Sequence, residues 1–142
     1  MIAALVLSFA LASASVPQPL SAEAACALSR SDNIPEGATY SIRGSYLKSR
    51  HGSILEIPAC DQIINPFMDG GAAAKIAEYH QAFAEKCGSP LIGDYISGVF
   101  TGAFVKRKAQ LHGMRDSAML EFFVITSIET QKLETSAITC PK

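Results

Sequence analysis

The sequence predicts a small, mainly β (α+β) domain: a five-stranded Greek-key barrel with one α-helix between its third and fourth strands, held by two disulfides. Three observations predict it. Apolar and polar residues alternate with period two at 39–46, as in a half-buried strand, and 95–106 and 118–128 read as strands with apolar groups on both faces. The segment 72–87 instead carries a helical repeat between clear end signals. Four cysteines, Cys26, Cys60, Cys87 and Cys140, follow an apolar leader of the kind that directs a chain to an oxidising compartment.

The leader comes first. An uncharged apolar run from Ile2 to Ala12 leads into small residues, Pro17, Pro19 and the triplet Ala22-Glu23-Ala24. This is the layout of an export signal, although its start lacks Lys and Arg, and the run is shorter than the roughly 20 residues that cross a bilayer. Cleavage fits after Ala14 or after Ala24, the later site being preferred, which assigns 1–24 to a signal peptide and 25–142 to one domain. Glu23, three positions ahead of Cys26, disfavours lipidation at that cysteine. The expected location is periplasmic or secreted, in a bacterial envelope. No later run is long enough to span a membrane.

The elements then follow in order. Thr39 to Tyr46 places Tyr40, Ile42 and Tyr46 on one face, with Ser41, Arg43 and Ser45 on the other. A polar loop from Lys48 to Gly52 leads to a second strand, Ser53 to Ile57, which Pro58 stops because proline donates nothing to a ladder. Asp61 to Phe67 is a brief edge strand at most, since it contains Pro66. Asp69 can cap the helix and Gly88 suits its left-handed end, with Pro90 preventing continuation. Ile76, His80, Phe83 and Cys87 form its apolar stripe, on which His80 reads as a packed, hydrogen-bonded histidine. In the strand Tyr95 to Lys106, Gly98 and Gly102 permit the sharp bending of a small barrel. A loop from Arg107 to Ser117 precedes the final strand, Ala118 to Ile128, and a polar tail runs from Glu129 to Cys140.

This order of elements is that of an OB barrel. The motifs Ile42-Arg43-Gly44-Ser45-Tyr46, His51-Gly52-Ser53-Ile54-Leu55 and Cys60, with Gly98-Val99-Phe100-Thr101-Gly102-Ala103-Phe104, resemble the signatures of small uncharacterised bacterial secreted proteins with an OB-like barrel. The resemblance covers roughly 40–60 and 95–128. It implies location and fold, and no activity or catalytic residue. Relative to it the helical segment with Cys87 is an insertion. Four cysteines allow three pairings. The insertion favours Cys26 with Cys60 and Cys87 with Cys140. No Cys-x-x-Cys or Cys-x-x-His spacing offers a metal site, and no cofactor is expected.

Function is less legible. The net charge of −1 gives no global field that would draw nucleic acid or an anionic membrane. Locally, seven of the twelve Lys and Arg fall in two segments: Arg43, Lys48 and Arg50 beside the first hairpin, and Lys106, Arg107, Lys108 and Arg115 before the last strand. In an OB barrel these segments flank the ligand face, so they would converge with His51 and His112 into a basic rim for an anionic ligand. Ordinary solvated loops account for the same charges. Tyr46 and Tyr95 are stacking platforms or packing residues. No nucleophile elbow, His-Glu-x-x-His or phosphate-cradling loop occurs. The reading is therefore a noncatalytic binding or envelope-associated module. One alternative is a small hydrolase using His51 and His112 with Asp116 or Glu121. The other is a protein-interaction domain that offers a strand edge to another envelope protein.

Overall fold

A computed structural model describes residues 15–49, 51–90, 95–110, 113, 115–130 and 133–142. Its elements are a helix α1 (Ala22–Ser29), strands β1 (Thr39–Ser49), β2 (Gly52–Ile57), β3 (Gln62–Ile64) and β4 (Pro66–Met68), a helix α2 (Gly70–Cys87), and the long strands β5 (Tyr95–Gln110) and β6 (Ser117–Glu129). A short 3-10 turn, Thr135–Ala137, lies in the tail.

The strands form one sheet in the order β3-β2-β1-β5-β6-β4. All neighbours are antiparallel except β4 and β6. The expected five-stranded closed barrel is therefore corrected to six strands in an open sheet. The reason lies at Asn65. The chain runs along β2 as far as Ile64 and then turns over onto β6, where the Phe123 N–H donates to the Asn65 carbonyl (2.8 Å) and Asn65 Nδ2 donates to the Glu121 carbonyl (3.3 Å). Pro66, which has no N–H, follows at once. The single weak strand expected at 61–67 is thus two three-residue strands, one on each edge of the sheet. One residue separates these edges in the chain, so the sheet curls until they face each other without a ladder joining them.

Curling of this degree needs close backbone crossings. A Cβ on Gly98 would lie 2.5 Å from the Glu129 carbonyl oxygen, and one on Gly102 would run into the Val124 carbonyl. Glycine alone allows β6 to cross so near β5. A register shift between Thr101 and Gly102 marks the tightest point. It also reassigns the end of β6: Phe123 and Ile125 face inward as the alternation predicts, and after the shift Ile128 is the next buried residue while Ser127 is exposed.

The inner face carries Ile42, Tyr46, Leu55, Ile57, Ile96, Phe100, Phe104 and Phe123 in one core, onto which α2 lays Ala72, Ile76, Tyr79 and Phe83. Asp69 caps α2 through its side chain, and Gly88 closes it in the left-handed conformation. The stripe is corrected in one respect, since Tyr79 is buried and His80 is only half-buried. Ser41 and Thr101, a directly opposed pair, are buried polar residues that satisfy each other through a 2.7 Å hydroxyl hydrogen bond.

Two disulfides join Cys26 to Cys60 and Cys87 to Cys140, the pairing that the inserted helix favoured, and no cysteine is free. The first ties α1 to the end of β2. The second ties α2 to the tail, which is less polar in its packing than in its composition: Leu133 and Ile138 are both buried. Two such bonds belong to an oxidising environment. Among the described residues no helix is long and apolar enough to cross a membrane.

Helix α1 was not expected. Ser21 caps it by accepting from the Ala24 N–H (3.2 Å), and the preceding Leu20 N–H donates to the Ser41 carbonyl (2.9 Å). The boundary drawn after Ala24 falls inside this helix.

Candidate functional site

The basic residues distribute unevenly over this frame. Lys106, Arg107 and Lys108 lie on β5 itself, not in a loop: the β5–β6 ladder continues to Gln110 and Ser117, so the first four residues of the expected loop, Arg107 to Gln110, are strand. All three are exposed, as is Arg115. They were assigned to a loop because three consecutive cations break the apolar alternation; strand pairing with β6 overrides that pattern. Arg43 lies on the outer side of β1, in a cleft of about 630 Å³. That cleft is also lined by Glu129 and by the hydrogen-bonded pair Ser45 and Ser97 (2.9 Å). With Arg43 and Glu129 both among its described lining residues, it carries no net positive charge. His51 is exposed in the hairpin turn, its backbone N–H donating to Ser49 Oγ (3.2 Å). Arg50 and His112 lie outside the described residues.

Lys48 and Arg107 are linked only through one residue, Phe67, which the sequence did not single out for chemistry. Phe67, on β4, is 45 % exposed, and the Arg107 guanidinium carbon stands 5.2 Å from its ring centroid. That distance is within cation–π range. Phe67 also lines a second cleft of about 310 Å³ with Lys48, Met68, His80, Tyr46 and Ser53. This cleft opens where β1 and β2 on one side face β4 and the first half of α2 on the other.

Each wall has a local cause. The β1–β2 register sets Lys48 opposite Ser53 and Tyr46 opposite Leu55. Tyr46, only 4 % exposed, extends its hydroxyl to Ser53 Oγ (2.9 Å). Ala73, Ile76, Ala77 and His80 stand on one face of α2 at helical spacing, so the small alanines leave room and His80 borders it. Among the described residues no Asp or Glu lines this cleft.

The electrostatics follow from that lining. Burial lowers the pKa of His80 below its ordinary value, and the Lys48 ammonium lowers it further. Both effects disfavour the imidazolium. His80 is therefore corrected from a packed residue of the core stripe to a half-buried one that borders a cleft.

His80 was misjudged because it recurs with Ile76 and Phe83 at helical spacing, and periodicity does not separate a stripe's centre from its border. Phe67 was missed because Pro66 made its segment read as a minor edge. Comparison with known proteins finds no family model, no curated protein and no solved structure that matches the chain.

Proposed function

We propose that this chain is a noncatalytic binding module of a bacterial envelope, exported to the periplasm or beyond, whose OB-like curled sheet holds an anionic ligand on the face around Phe67. One observation carries the reading: Lys48 lines a cleft together with an exposed aromatic ring, Phe67, against which the Arg107 guanidinium stands, and no carboxylate among the described residues lines that cleft. Cations of this kind draw an anion, and an exposed ring supplies a face on which a sugar or other flat group can rest. Lys106 and Lys108 extend the positive face along β5.

The two disulfides support an address outside the cytoplasm, and the apolar leader gives the route to it.

The test is retention on immobilised heparin, a dense polyanion, across a salt gradient. Binding is expected to weaken steadily as salt rises, because exposed charges are screened within a Debye length of about 10 Å at 0.1 M. Lys48→Ala with Arg107→Ala should lower affinity by about fivefold per cation, each exposed contact being worth up to about 1 kcal/mol. Retention that ignores both salt and these substitutions defeats the reading.

A further inference from the structure

We propose that the cleft between Lys48 and His80 seats one small terminal oxyanion ester, a phosphate or sulfate group on an apolar stem, and that His80 takes up a proton as the anion enters. The proposal rests on the anion-binding reading above and names what that face selects.

The size of the cleft sets the first limit. At about 310 Å³ it stands at the small end of ligand sites, which run from about 300 to 1,000 Å³. It holds one group with a short stem and not a stretch of polymer. Its walls are of two kinds. Phe67, Met68, Ile76 and the two alanines are apolar, whereas Lys48, His80, Tyr46 and Ser53 present polar atoms. An ester with a charged head and an apolar tail matches this division; a bare inorganic anion would leave the apolar side unused.

Hydrogen-bond capacity points the same way. Lys48 offers an ammonium. Tyr46 and Ser53 each have one hydroxyl proton, and their mutual bond consumes only one of them. The hydroxyl that accepts retains its own proton for a third partner. No carboxylate among the described residues lines the cleft, and an oxyanion can accept from several of these donors at once.

His80 makes the site responsive to pH. The groups that face it are Lys48 and the Tyr46 and Ser53 hydroxyls from β1 and β2, Phe67 and Met68 from β4, and its neighbour Tyr79 on α2, whose ring centroid lies 6.3 Å away. Lys48 is the one charged group among them, and it opposes protonation. An oxyanion between Lys48 and His80 reverses that balance, since a nearby negative charge and an accepted hydrogen bond both favour the imidazolium. Because binding then favours protonation, protonation favours binding by the same factor. Affinity must rise as pH falls through the range between the free and bound pKa values.

The experiment uses the full domain with its disulfides intact and phenyl sulfate as probe. The sulfate keeps one negative charge throughout, so any pH dependence belongs to the protein. Affinity by calorimetry is expected to be about fivefold higher at pH 5.5 than at pH 7.5, and NMR of the His80 ring should show its titration midpoint about one pH unit higher when saturated, a shift whose full effect by linkage is about tenfold once the pH range spans both midpoints completely. Phenol, which has the stem without the charge, should not compete. His80→Gln should flatten the pH profile, and Lys48→Met should weaken binding at every pH. The NMR titration of the unaltered protein stands even if a variant folds poorly. A flat pH profile, an unmoved His80 midpoint or effective competition by phenol overturns the proposal. Heparin retention without phenyl sulfate binding defeats this inference and leaves the broader reading standing; loss of both defeats both.

Discussion

Removing the Cys87–Cys140 disulfide tests how the tail is held. The bond closes 53 residues, and the unfolded chain loses loop entropy worth about 4.2 kcal/mol at 25 °C for a loop of that length. The 34-residue separation of Cys26 and Cys60 corresponds to about 3.8 kcal/mol by the same relation. The perturbation of choice is Cys87→Ala with Cys140→Ala, because both residues are partly exposed and their truncation leaves little cavity, whereas Cys26 is buried. Leu133 and Ile138 still pack in the folded variant, so most of the loss arises in the unfolded state. Urea unfolding should show stability lower by about 4 kcal/mol, a melting temperature lower by about 15 °C, and a steeper denaturant slope, since the untethered chain exposes more surface. A change of less than about 1 kcal/mol with an unaltered slope would refute the loop-entropy reasoning and assign the tail's hold to its apolar contacts alone.

The other predictions concern single positions. Gly102→Ala should cost about 3 kcal/mol or more, since its Cβ meets the Val124 carbonyl where β6 crosses β5; a melting temperature equal to the parent's would contradict the close crossing. Acidification should act through His80. The unfolded histidine, with its ordinary pKa near 6.5, binds a proton before the folded one does, so stability contributed by the neutral ring is present above about 6.5 and lost as pH falls toward the lowered folded value. Thermal melts between pH 7.5 and 5.5 should show a smaller decline for His80→Gln than for the parent, and equal declines would contradict the assignment. Finally, if a leader is removed on export, the mature chain should begin at Ser15 and not at Ala25. Cleavage after Ala14 keeps the Ser21 cap, the Leu20–Ser41 bond and all of α1; an intact mass starting at Ala25 would show the fold stable without them.

Much of the fold was legible because its signals are local. Alternation in β1 and inward Phe123 and Ile125 in β6 express a two-residue period that any half-buried strand imposes. Asp69 and Gly88 mark the ends of α2 through the chemistry of their own backbones, and Gly98 and Gly102 announced sharp bending before the partner strand was known. The site was legible only in outline. Lys48 and Arg107 were both candidates, yet the residue that unites them, Phe67, sits in a strand too short to carry a periodic signal. His80 looked like core because its spacing is that of core residues, while Tyr46 is core and reaches the site only through its hydroxyl.

The sequence by itself determined the elements, their caps, the bend in β5 and an oxidised, stapled scaffold, since each depends on residues close together in the chain or on composition. Only the tertiary structure decided that the third strand breaks at Asn65 and joins both edges of the sheet, that Lys106, Arg107 and Lys108 lie on β5, and that Lys48 shares a cleft with Phe67 and His80. Those outcomes depend on which distant strands pair and on how far the sheet curls, and pairing between distant segments leaves no periodic trace in either one.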